Sequence, residues 1–259
     1  MRKLLFLFII SLVFVFSQVN AEDKPVPCNN TYKPGTMILF RNGGTSELTH
    51  SIVTGGAFNH AGIIFKDKDG VDKLAHFLGG KGPFGLGSSS DIKTGLIIEE
   101  NPDKYLNNEV IESKNGGIWK RDPLVDLTEE KSKELTEFIL SHKDDAFSPG
   151  KMQQIAGLGF KVRPPLLTRK PPTEDCPDEY FCSEFVATTL TQTGIVNRIR
   201  VIHPSLIPFL PPTVEYFYLN PPGISPAALA MDNIVDLSGT YGPPVKLRFP
   251  KAKPEGNKK

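Results

Sequence analysis

Tyr180-Phe181-Cys182-Ser183-Glu184-Phe185-Val186-Ala187 places a cysteine where a helix begins. From Ser183 to Thr193 the chain contains neither Gly nor Pro, and Gly194 follows. Phe185, Val186, Thr189 and Leu190 fall at helical spacing, which predicts a helix with one buried face that stops at Gly194. Pro171, Pro172 and Pro177 keep the preceding segment out of a helix. Cys182 then stands at a helix N-terminus, where unpaired N–H groups and the positive dipole end favour the reactive thiolate. The same position also suits a small buried apolar residue, the commoner fate of a free cysteine.

A second stretch bears on that choice. Phe58-Asn59-His60-Ala61-Gly62-Ile63-Ile64-Phe65 reads as a turn followed by a buried strand, with His60 its first residue. An imidazole on a strand is a rigid base, and a neutral base is what a thiol nucleophile needs. The absent side chain at Gly62 lets a helix pack closely on that strand. Cys182 and His60 are expected within direct or one-water hydrogen-bond reach.

Together, "NHAGIIF" and, much later, "YFCSEFV" resemble the circularly permuted branch of the NlpC-type papain-like cysteine hydrolases. In that branch the His strand precedes the Cys helix, as here. Met37-Ile38-Leu39-Phe40-Arg41, with Gly35 just before it, resembles the family's opening strand. Val110-Ile111-Glu112-Ser113 and Gly116-Gly117-Ile118 resemble its later strand pair. The likeness runs from about Lys33 to Ile195. It implies an α+β permuted papain-like fold, a curled antiparallel sheet packed against the Cys-bearing helix. It implies a cysteine hydrolase that cleaves an amide or ester through an acyl-cysteine intermediate, with no cofactor and no metal. Substrates of this kind are peptides, cell-wall fragments or lipid-derived acyl groups.

The resemblance also implies the site: Cys182 as nucleophile, His60 as base and Glu112 as the acceptor that orients His60. His76, in "LAHF", is the alternative third member, by likeness to the lecithin:retinol acyltransferase-like group. Its adoption would favour acyl transfer on lipids. The helix-start N–H of Cys182 would face an oxyanion, supported by Tyr180 and Ser183, although packing suits Tyr180 and a helix first turn suits Ser183. A secreted binding protein on the same scaffold is the non-enzymatic alternative.

Residues 1–21 read as a secretory signal: Arg2 and Lys3, an apolar run from Leu4 to Phe16 broken by Ser11, and small residues up to Ala21. That run is short for a bilayer span, and no other segment approaches one. The expected destination is outside the cell or the lumen of the endomembrane and lysosomal system. Removing Arg2 and Lys3 changes the balance from 30 basic against 29 acidic residues to 28 against 29. Such a chain has no global field to draw nucleic acid. Residues 22–245 are expected to form one domain and 246–259 a solvated basic tail. In an oxidising compartment an odd count of three cysteines leaves one thiol free. With Cys182 the free one, Cys28 and Cys176 are expected to pair. Asn29-Asn30-Thr31 is a glycosylation sequon at Asn29.

Further strands are expected over 36–41, 60–66, 74–78, 96–99, 109–113 and 117–120. A helix capped by Thr128 is expected to end at a solvated His142. Little regular structure is expected over 149–178 or after His203.

Overall fold

The computed structural model describes residues 30–41, 58–79, 95–112, 116–148, 165–171, 173, 176–203 and 212–249, without the side chains of 110–112 and His203. The signal segment, Cys28, Asn29 and residues 250–259 lie outside them. The fold is α+β.

Its frame is a six-stranded antiparallel sheet. The strands are β1 (Met37–Arg41), β2 (His60–Lys66), β3 (Asp72–Leu78), β4 (Gly95–Glu99), β5 (Gly117–Arg121) and, near the C-terminus, β11 (Val245–Lys246). Their order is β11-β5-β1-β2-β3-β4. The register pairs Phe40 with His60 and Gly62 with His76. β1 and β2 are the central apolar strands, buried on both faces. Alternation splits their side chains between two clusters. Met37, Leu39, Ala61, Ile63 and Phe65 pack on the face of the cysteine helix. Ile38, Phe40 and Ile64 pack on the other face, with Leu106.

Leu106 belongs to helix α1 (Pro102–Glu112), which corrects the strand expected over 109–113. The local signals favour a helix: Asn101 Oδ1 accepts from Lys104 N–H at 2.9 Å, Pro102 fills the first helical position, and Asp103 lies in the first turn. Helix α2 (Glu129–Ser141) is capped by Thr128 as expected, with Leu135 and Ile139 buried. Its C-cap His142 is half-buried, with Nδ1 2.7 Å from the Phe138 carbonyl and its ring 5.6 Å from that of Tyr180. His142 therefore packs between elements, where a solvated helix end was expected.

Helix α3 (Cys182–Gln192) is buried on every side through Thr191, where a single buried face was expected. One side meets β2 and β3, and the other is covered by the segment after His203. That segment holds β10 (Thr213–Leu219), a 3-10 turn at 221–223 and helix α4 (Pro226–Ala230). β10 pairs with β9 (Ile199–His203) and β7 (Leu167–Thr168), so the described residues after His203 hold regular structure that was not expected there. Threonines tolerate this burial by bonding their own helix: Thr189 Oγ1 donates to Phe185 O at 2.8 Å and Thr193 Oγ1 to Thr189 O at 2.7 Å. Gly194, at φ +66°, closes the helix. β11 and the buried Leu247 carry the folded domain past the expected boundary at 245. Two short strands remain, β6 (Ala146–Phe147) and β8 (Glu179–Tyr180), paired in parallel. Among the described residues no helix is long and apolar enough to cross a membrane.

Candidate active site

Cys182 is the first residue of α3, as its sequence context predicts. The Glu184 carboxylate accepts from Phe181 N–H at 3.4 Å and steadies the turn that presents it. Ser183, fully buried, donates its hydroxyl to Ile224 O at 2.8 Å and ties the helix start to the covering segment. Cys182 is 7% exposed. It sits against the backbone N–H of Ala61, the residue after His60. Burial nevertheless pushes its pKa up to about 11, against the hydrogen bonds from Ala61, Ser183 and Cys182 itself. The preformed thiolate expected at a helix N-terminus is thus corrected to a neutral thiol. Desolvation of a charge in a nearly closed site outweighs a few N–H dipoles.

His60 begins β2. Its ring lies 5.0 Å from Phe40 and, at a steep angle, 5.2 Å from His76. Alternation sends His60 to the Phe40 and His76 side of the sheet, whereas Ala61 faces α3. The Cys182 thiol and the His60 imidazole therefore lie on opposite faces of β2 and share no hydrogen bond, so the direct contact expected of them is not formed. Burial lowers the His60 pKa well below its usual value, and His76 lowers it further. Both members of the pair rest neutral.

His60 Nε2 lies 2.9 Å from Nδ1 of His76, a fully buried residue. The register causes this pairing. His76 stands opposite Gly62, where a Cβ would lie 3.1 Å from His76 Cβ and 2.9 Å from Ala75 O. Gly62 thus makes room for the neighbouring strand and its histidine, where the sequence suggested room for a helix. Tyr105 of α1 closes the other side of His76, with ring centroids 5.0 Å apart. Glu112 is the last residue of α1, on a helix where a strand was expected, and its side chain lies outside the described residues. The structure brings His76 to His60.

Tyr180 is fully buried, its ring among those of Phe77, Phe185 and His142. Its hydroxyl meets Cys176, and burial raises its pKa. It packs as a core residue. Cys176 is a free thiol among the described residues, and the expected bridge to Cys28 falls on a residue outside them. Asn29 also lies outside the described residues. Among the described residues no group of three His, Cys, Asp or Glu could hold a metal.

The one residue whose placement sequence reasoning missed is Glu99, at the end of β4. Its Oε1 lies 3.7 Å from His76 Nε2. The strand was legible, but pairing across two registers is not a sequence signal. No family model matches the chain, and no curated protein resembles it significantly.

Proposed function

We propose that this protein is a papain-like acyl-transfer enzyme of permuted order, with Cys182 as nucleophile, His60 as base and His76 as the group that orients His60. One observation carries the reading: the Cys182 thiol rests on the N–H of the residue after His60, while His60 is docked on His76 at 2.9 Å. A histidine base needs its far nitrogen held. With Nε2 engaged, Nδ1 is the nitrogen of His60 left free to act as a base. Since both groups rest neutral, His60 takes the Sγ proton as a substrate carbonyl arrives.

The bond changes balance as follows. Sγ bonds to the carbonyl carbon, and the oxyanion meets the helix-start N–H groups of α3. Collapse breaks the carbonyl bond to the leaving amine or alcohol, which receives the proton from His60 and leaves a thioester. Water then attacks the thioester, giving one proton to His60, which returns it to Sγ. An alcohol or amine in place of water makes the same site an acyltransferase. The His60–His76 pair favours this second reading, because the lecithin:retinol acyltransferase-like group uses a second histidine here. Secretion through the 1–21 signal belongs to the same proposal.

The test is acylation of full-length protein with a p-nitrophenyl thioester or ester probe, with the modified residue located by peptide mass mapping. Cys182 should carry the acyl group. His60→Ala and His76→Gln should slow labelling by about a hundredfold or more, and Glu112→Gln should leave it within about threefold, each variant folded by circular dichroism. Labelling that survives His60→Ala would reject the pair, and an inert Cys182 would leave the binding-protein alternative.

A further inference from the structure

The His60–His76 contact has two possible proton arrangements, and only one leaves His60 a base. A neutral imidazole carries one N–H. If His76 donates from Nδ1, His60 Nε2 must be bare and its proton sits on Nδ1, facing the wrong way for general-base work. If His60 donates from Nε2, His60 Nδ1 is bare and can accept the thiol proton. That arrangement requires the His76 proton to sit on Nε2.

His76 Nε2 is buried and has no hydrogen-bond partner, although buried ring nitrogens are normally satisfied. It faces Glu99 Oε1 at 3.7 Å, and the Glu99 side chain is 28% exposed, so it retains rotamer freedom to close the distance. An ionised carboxylate can only accept a hydrogen bond. Whatever proton lies between the two must therefore belong to His76.

We propose that Glu99 is a positioning residue that fixes the tautomers of both histidines: its carboxylate accepts His76 Nε2–H, His76 Nδ1 accepts His60 Nε2–H, and His60 Nδ1 is left bare. When His60 takes the thiol proton, the same chain places a negative charge behind the imidazolium. The catalytic consequence rests on the acyl-transfer reading above, whereas the wiring of the two rings does not.

The test separates them. Imidazole nitrogen NMR on the ¹⁵N-labelled full chain at neutral pH, assigned with His76→Gln, should place the protons of both histidines on Nε2. Glu99→Gln, whose amide can also donate, should move part or all of the His76 proton to Nδ1. It should slow Cys182 acylation about ten- to a hundredfold with the thermal midpoint nearly unchanged. Glu99→Asp should retain the Nε2 tautomers. A proton on His76 Nδ1 in the unaltered protein, or tautomers indifferent to Glu99→Gln, would overturn the proposal. If the tautomers follow Glu99 but Cys182 is never acylated, the wiring stands and the enzymatic reading fails.

Discussion

Cys182 should behave as a suppressed thiol rather than an activated one. Its pKa rises from 9.0 to about 11, mainly because the site is closed to water. At 1.36 kcal/mol per unit this is about 3 kcal/mol against the thiolate, or roughly a hundredfold less thiolate than a free cysteine at neutral pH. The small reagent methyl methanethiosulfonate, applied from pH 6 to 10 and read by peptide mass, should therefore give a rate that climbs through the whole range. A plateau beginning below pH 8 would mean that the thiolate is already paired with a cation, refuting the neutral resting pair. Stability carries the same signature. The unfolded thiol ionises near pH 9 and the folded one near 11, so in this window the unfolded state binds fewer protons. The contribution is fully present below pH 9 and is lost as pH rises toward 11. At pH 10 the loss is about 1.3 kcal/mol relative to pH 7.5. Urea unfolding of the natural protein and of Cys182→Ala at both pH values isolates it. Parallel pH dependence in the two would contradict the burial argument.

Two further substitutions test the framework. Gly62→Ala places a methyl 2.9 Å from both Ala75 O and Leu74 Cδ1, so overpacking should cost about 1–3 kcal/mol in urea unfolding. It should also displace the His76 resonances, and a neutral result would mean that β2 and β3 are not so closely paired. Arg121 is fully buried. It donates to Gly242 O at 2.7 Å and Leu229 O at 2.9 Å, and it pairs with Asp232. Arg121→Ala should cost about 3–5 kcal/mol by leaving those acceptors stranded, and a loss below about 1 kcal/mol would exclude Arg121 as the tie between β5 and the covering segment.

The sequence alone determined the parts written in local terms. The gap free of Gly and Pro after Cys182, the Gly194 stop, the Thr128 cap and the apolar run after His60 each specify a backbone state within a few residues, and each element formed. The α1 helix was legible too, in Asn101-Pro102-Asp103, but the likeness of "VIES" to a strand concealed it. Tertiary structure alone decided which histidine neighbour matters. His60, His76 and Glu99 come together through strand registers, and a register is set by which faces are buried and how closely backbones approach, as at Gly62. It also decided the charge state of Cys182. A helix N-terminus argues for a thiolate in any exposed setting. The covering segment from β10 to α4 encloses that end, and the resulting desolvation, a property of distant residues folded over the thiol, reverses the sign.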